Sequence, residues 1–354
     1  MDFKKIFIKD ACPTKIGGQA VLEGIMMKGA DRTAVVVRLP DDRLFIRTQR
    51  LEPPGKASRI PIVRGVVNFV EMLIVGMKTL TYSAEVLEEY GPKEEGDSPL
   101  KKEEAKNGGF DAAILLAVVV AIAFVVGVFI IVPTIAVNWF QYFTDNTILL
   151  NLFEGALRIV LFIVYIVVIS RMKDIRTTFE YHGAEHKTIH CYESGLPLTP
   201  ENADTFETLH PRCGTSFLMF VMIIALLIFS LLGWPSLMYR ILSRIVFIPL
   251  IAGLSYELLR YAGRADNLFI RVMSVPGLLL QKLTTKPPSR AQLAVAIAAL
   301  KAVDVDESTP EIEGFCDGNG MLIVPIEEAA EDKPAIADAA GAPPPEAPDD
   351  TPVG

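Results

Sequence analysis

Residues 112–137 and 148–169 are two almost uncharged apolar runs, each longer than the roughly 20 residues a helix needs to cross a bilayer core of about 30 Å. Hydrocarbon leaves a backbone few choices, because every N–H and C=O must find its partner inside the segment, so such runs cross as helices. A third run, Ser216–Leu232, "SFLMFVMIIALLIFSLL", is as apolar but only just long enough. A fourth, 241–259, is interrupted by Arg244, Pro249, Gly253 and Glu257. The expected fold is a polytopic α-helical membrane protein of about four transmembrane helices, with the lipid bilayer as its first partner. The share of hydrophobic residues, 51% of 354, exceeds that of an ordinary soluble enzyme and is concentrated in these runs.

Basic residues near the spans set orientation. The connection after the second run carries Arg171, Lys173, Arg176, Lys187 and Arg212, whereas Asn138–Thr147 carries none, so the former is expected in the cytosol. Four spans then place both termini there, in agreement with Arg260, Arg264 and Arg271 but not with Arg240 and Arg244. The opening "MDFKKIFIKDACPTK" has no apolar h-region or cleavage site, so no cleaved signal peptide is expected. Cys12, Cys191, Cys213 and Cys316 are too scattered for a secreted disulfide framework and are expected to be reduced. A net charge of −8 gives nucleic acid no electrostatic footing, and none is expected as a partner.

Outside the spans the chain divides by composition. Residues 1–59 form a small β-containing N-terminal cytosolic region: "TAVVVRL" and "LFIRTQRL", separated by "PDDR", read as a hairpin, and "GGQAVLEGIMMKG" reads as tight turns around a strand. That block lacks phosphate-loop spacing, and the alternative to plain turns is a functional surface containing Glu23. Residues 60–87 form an interfacial amphipathic helix with Arg64, Glu71 and Lys78 seven apart on one stripe. A charged linker over 88–111 leads to the four-helix domain, 112–262, which contains a cytosolic loop, 172–215. Residues 263–303 give an interfacial apolar segment and an amphipathic helix opened by a Ser289/Gln292 capping box, with Leu293, Ile297, Leu300 and Val303 on its apolar face. Residues 304–354 read as an acidic, mostly disordered tail; from Glu328 on it holds seven acids, six prolines and one lysine. Inside the second span Glu154 and Arg158 have ion-pair spacing, and Glu257 with Arg260 is a similar pair.

The chemistry concentrates in the loop. All four histidines (His182, His186, His190 and His210) and two of four cysteines fall within 32 positions. On a helix the first three share a face, and Glu185 completes H-x-x-E-H, in which two histidines hold zinc and the glutamate is the general base. That chemistry needs a water in reach of both the metal and a carboxylate. "HPRCG" adds His210 and Cys213 with knuckle-like spacing. Two ligand sets follow: a closed one of His186, His190, His210 and Cys213, or an open one of His182, His186 and one of His190, His210, Cys191 or Glu193. The plain alternatives are a hydrogen-bonded His/Glu network without metal and a buried thiol at Cys191. Imidazole also accepts iron, nickel or copper, so zinc is the expected ion among several divalent ones.

The blocks "GGQAVLEGIMMKG", "EYHGAEHKTIHCYE", "HPRCGTSF" and "GLLLQKLTTKPPSRAQLAVAIAALKAV" resemble the signature blocks of the YqhQ-like family of bacterial membrane proteins, over about residues 15–303. The family is a domain of unknown function whose members are labelled metal-dependent enzymes. The resemblance implies a metal site at His182, Glu185 and His186, a bacterial inner-membrane location, and no particular reaction. Two functions are expected from the residues: a zinc-dependent hydrolase at the cytosolic membrane surface with Glu185 as base, or a membrane scaffold or assembly factor whose zinc is structural and whose cytosolic regions recruit a protein partner.

Overall fold

The "PDDR" break closes a hairpin as expected, with Asp42 in the left-handed region (φ 69°) and Leu39 N–H donating to Arg43 O at 2.8 Å. In the computed structural model, which describes residues 6–7, 12–52, 60–91, 116, 119–121, 123–232, 237–262, 268–317 and 322–325, this hairpin is part of a larger sheet. Its strands are β1 (Gly17–Val21), β2 (Gly24–Lys28), β3 (Arg32–Arg38), β4 (Leu44–Arg50), β5 (Glu313–Cys316) and β6 (Leu322–Pro325), antiparallel in that order. Most of the 88–111 linker, the start of the first span and the acidic tail from Glu328 lie outside the described residues.

Two of these strands correct the reading of residues 304–354 as a tail. Phe315 of β5 pairs with Phe45 of β4, so the chain that follows residue 303 returns to the N-terminal sheet. The acidic composition further along masks this short apolar stretch when the segment is averaged.

β3 is a continuous β-branched run because both faces of the sheet are covered. Ala34 and Val36 face a core shared with Ile25, Met27, Ile46 and the helices that follow the spans. Val35 and Val37 face the opposite way, toward Val21, Phe45, Phe315 and Val86. The second side is closed by α1 (Val63–Tyr90), whose final turns supply Tyr82, Val86, Leu87 and Tyr90.

Among the described residues three helices are long and apolar enough to cross a membrane: α2 (Val119–Phe140), α3 (Thr147–Ile169) and α6 (Gly214–Leu231). The segment expected as a fourth span forms one continuous helix, α7 (Leu237–Ala262). Within α3, Glu154 and Arg158 form the expected ion pair, and Arg158 Nε also donates to Phe129 O at 3.1 Å, in the π-helical turn Gly127–Ile131 of α2. Glu257 pairs with Arg64 of α1 rather than with Arg260, because α1 and α7 cross closely at two glycines. A Cβ on Gly65 would lie 2.8 Å from Gly253 Cα. Glu71, from the same charged stripe, meets Lys28 at 2.8 Å, while Val63, Val67, Val70, Ile74 and Met77 stay exposed.

After α7 come α8 (Leu268–Thr284) and α9 (Arg290–Val303). The Ser289/Gln292 capping box is present, and Leu293, Ile297, Leu300 and Val303 are buried. Yet α9 is not an amphipathic surface helix: Val295, Ala296, Ala298 and Ala299 are buried as well. Its alanines are small enough for the sheet to close on one side and the histidine helix on the other.

A candidate metal centre

The stretch read as a loop is mostly helical: α4 (Lys173–Glu193), a short α5 (Pro200–Asp204), and a turn that enters α6 at Cys213. Buried Lys187 anchors α5 by donating to Asp204 O at 2.6 Å and Oδ1 at 2.7 Å. Gly183, in "HGAEH", is where the segment after α8 crosses α4. A Cβ there would fall 2.0 Å from Lys286 O, and Lys286 N–H donates to Phe179 O at 2.9 Å. No side chain fits at that crossing.

The crossing orients the imidazoles. His182 Nδ1 donates to Thr284 O at 2.8 Å and His186 Nδ1 donates to Thr208 O at 2.5 Å. A carbonyl only accepts, so each ring presents Nε2 on the opposite side, the arrangement in which backbone carbonyls commonly hold metal-binding histidines. The two Nε2 atoms converge with Cys213 Sγ, all three donors lying within 4.8 Å of one another. His182 Nε2 is 3.1 Å from Sγ, whereas His186 Nε2 is buried with no hydrogen-bond partner. Three soft donors on a common centre, one of them a buried lone pair without a proton donor, fit a divalent transition metal.

Charge supports this fit. Burial would push the His182 imidazole down, but the Cys213 sulfur, with Glu185 and the Thr284 carbonyl, carries it up to about 9. Burial would push the Cys213 thiol up, but His182 and His186 beside it bring it well below the usual thiol range. Thiolate and imidazolium thus hold each other, and a cation in their midst takes the place of the proton. Cys213 is also the N-cap of α6, its Sγ accepting from Thr215 N at 3.4 Å.

Glu185 is buried one position from His186, and burial raises its carboxyl above the ordinary range against the pull of His186 and His182. Its Oε1 accepts from the backbone N–H of Gly18 at 2.9 Å. The glycine is required: a Cβ would lie 2.7 Å from Met26 O, 2.9 Å from Met27 Sδ and 3.1 Å from Glu185 Cδ.

His190 and His210 stand behind the three donors. The His210 ring lies 5.6 Å from that of His186 and 4.5 Å from that of His190. His190 Nε2 donates to Leu209 O at 3.0 Å, and burial lowers its imidazole to about 4. His210 Nδ1 accepts from Arg212 N at 3.3 Å, which leaves the ring proton on Nε2, 3.8 Å from Glu193 Oε2. Glu193 itself is held by Arg212 and by Thr14 N–H at 2.8 Å. Burial alone would raise its carboxyl, but His210, Thr14 and Arg212 bring it down to about 2. Cys191 is a buried core thiol, 3.6 Å from Pro197 O.

The donors brought together therefore combine members of both expected sets: His182 and His186 from the open one, and Cys213 from the closed one. Sequence reasoning assigned no role to Thr208, Thr284, Gly18 or Gln281. The last is buried and ties His210 to α8, accepting from its N–H at 2.8 Å and donating to its carbonyl at 2.9 Å. The available signal was a glutamine and two threonines following the apolar run of "GLLLQKLTT".

Residues 60–305 match the family model described as "Protein of unknown function (DUF1385)". The chain is 34% identical over 296 residues, 82% of its own length and 92% of the relative's, to "Uncharacterized protein YqhQ" of Bacillus subtilis (strain 168). No solved structure matches. A family match that takes in all three donors and Glu185, with a relative similar along most of both chains, establishes that the chain belongs to the DUF1385 family.

Proposed function

We propose that this protein is a zinc-dependent hydrolase of the bacterial inner membrane, with its site facing the cytosol at the bilayer surface. The observation that carries the reading is the convergence of His182 Nε2, His186 Nε2 and Cys213 Sγ within 4.8 Å, beside the buried carboxylate of Glu185. Three protein ligands leave a tetrahedral ion one open position, which is the mark of a catalytic rather than a structural zinc. Zinc, when bound, supplies Lewis acidity that activates water and polarises a carbonyl. Glu185 takes a proton from the attacking water as its oxygen adds to the carbonyl carbon, then delivers that proton to the departing group as the scissile bond breaks. A carboxyl raised by burial suits both tasks near neutral pH. The Gly18 amide fixes which carboxylate oxygen stays behind as acceptor. The membrane location is supported by three helices of spanning length and by the basic residues that flank α4.

The second reading, a scaffold with a structural zinc, is favoured by one feature: His210 is tied to α8 through Gln281 and lies beside Glu193 of α4, as in a folded clasp. Glu185→Gln separates the two. A hydrolase keeps its metal and loses cellular function, measured by metal analysis and by complementation of a deletion strain. Full complementation by a variant that retains zinc would eliminate hydrolysis.

A further inference from the structure

The three donors do not share one degree of burial. His186 and Cys213 are buried and His182 is half-buried, so the cluster opens to the surface on the His182 side. Two helices bound that side. On α4, a helical repeat of about 100° per residue places Thr178 and Ile175 on the donor-bearing face, one and two turns before His182, and both are half-exposed. Lys173, Arg176 and Glu180 fall on the opposite side of the helix. On α6, which Cys213 caps, the sulfur is followed by exposed Gly214, half-exposed Thr215 and, one turn on, Leu218 at 42% exposure. A Cβ on Gly214 would meet nothing within 4 Å, so there is open space next to a donor. α4 follows directly on α3, and α6 is itself of spanning length, so both walls run from the donors toward helices long and apolar enough to cross a membrane.

We infer that the substrate is an acyl amphiphile, an ester or amide of a fatty acid, whose carbonyl stands at the donors and Glu185 while its chain leaves between α4 and α6 into the bilayer. The walls suit a hydrocarbon chain. Neither stretch carries a charge, and both hydroxyls are already engaged: Thr178 Oγ1 donates to Asp174 O at 3.0 Å, and Thr215 Oγ1 lies 3.2 Å from Cys213 Sγ. Beyond the first turn of α6 the helical backbone is bonded within itself, so a polypeptide entering here would find no partners for its N–H and C=O groups. A hydrocarbon chain needs none. The level also fits, because acyl carbonyls lie between the hydrocarbon core and the head groups, where the cytosolic end of a spanning helix stands. In the reaction, the oxygen of water adds to the acyl carbonyl carbon and the bond to the alcohol or amine breaks, giving a carboxylic acid and the protonated leaving group with no further reactant.

The inference rests on the hydrolase reading, and the test keeps the two apart. Full-length protein in phosphatidylcholine nanodiscs is loaded with cobalt, and binding is followed through the cobalt absorption with acetohydroxamate, dodecanoyl hydroxamate and acetyl-trialanyl hydroxamate. Perturbation of the spectrum by acetohydroxamate reports the open metal position alone. The dodecanoyl probe is expected to bind about tenfold or more tighter, and the tripeptide probe no tighter. Part of the dodecanoyl gain is partition into the disc, which is the same for every variant. Gly214→Leu fills the open space on one wall and Ile175→Trp fills the other. Each should weaken dodecanoyl binding about tenfold and leave acetohydroxamate binding unchanged, the latter showing that the variant has folded. Dodecanoyl affinity that neither substitution alters overturns the acyl assignment. So does a tripeptide probe that binds tighter than the dodecanoyl one, which would make the substrate a peptide. Failure of acetohydroxamate to perturb bound cobalt overturns the hydrolase reading itself, and this inference with it.

Discussion

Gly18 and Glu185 are 167 positions apart in the chain and share one hydrogen bond, from the glycine amide to Oε1 at 2.9 Å. The contact couples the edge of the N-terminal sheet to the helix bearing the candidate ligands. It sets an asymmetric expectation for two adjacent glycines. Gly17→Ala meets nothing within 4 Å, whereas a methyl group at Gly18 runs into Met26 O and the Glu185 carboxyl. Gly18→Ala should cost about 1–3 kcal/mol by overpacking and should impair cellular function while zinc content holds. Gly17→Ala should do neither. Thermal unfolding in detergent, metal analysis and complementation, run on both variants, check this; equal behaviour of the two would remove Gly18 from the site.

Cysteine reactivity gives a second test. Cys12 is exposed and should react with a maleimide at once. Burial pushes the Cys316 thiol up to about 12 and also raises Cys191, so both should stay unmodified until the fold opens. Cys213 is held as thiolate by His182 and His186, and should be protected in metal-replete protein and modified after chelation. Mass spectrometry of protein labelled with and without chelator reads all four sites. Labelling of Cys213 at the same rate in both samples would argue against metal ligation by its sulfur.

The acid side of stability should depend on Glu193. Its carboxyl lies near 2 in the folded protein against an ordinary 4.5, with His210, Thr14 and Arg212 outweighing burial. A depressed carboxyl contributes stability that is fully present above the unfolded value and is lost as pH falls through the folded one. The gap in melting temperature between the natural protein and Glu193→Gln should therefore be constant above about pH 5 and shrink from about pH 4.5 toward pH 2. At neutral pH the substitution should cost on the order of 2 kcal/mol, the scale of hydrogen bonds to a charged group. A gap that does not change over this range would mean that Glu193 is not held as an ion.

What the sequence made legible follows the range of the forces involved. The apolar runs of α2, α3 and α6, the "PDDR" hairpin and the Ser289/Gln292 capping box are local patterns and could be read directly. Clustering flagged the histidines and Cys213, but which donors converge depends on carbonyls delivered from elsewhere, Thr208 by the turn after α5 and Thr284 by the end of α8. The partner of Glu257 was misread for the same reason. Arg260 is near in sequence, but the Gly65/Gly253 crossing brings Arg64 nearer in space. β5 was hidden because a short strand supported by a distant edge leaves no trace in the average composition of an acidic segment.

The ligand set itself is the sharpest prediction, because it divides four histidines into two pairs. His182 and His186 each spend Nδ1 on a carbonyl and turn Nε2 toward Cys213. His190 spends Nε2 on Leu209 O, and His210 has Nδ1 engaged by Arg212 N with its remaining nitrogen toward Glu193. Purified protein should carry about one zinc per chain, bound by two imidazoles, one thiolate and one light non-protein ligand. His182→Ala, His186→Ala and Cys213→Ser should each weaken zinc binding by a hundredfold or more, about 3 kcal/mol. His190→Ala and His210→Ala act one layer out, where loss of a supporting group weakens metal binding about 10–100-fold. Competition with a zinc chelator ranks the five variants, and X-ray absorption counts sulfur and imidazole neighbours. An ordering with His190 and His210 above His182, or a shell of three imidazoles and one sulfur with no light ligand, would transfer the site to the closed set and end the case for an open catalytic position.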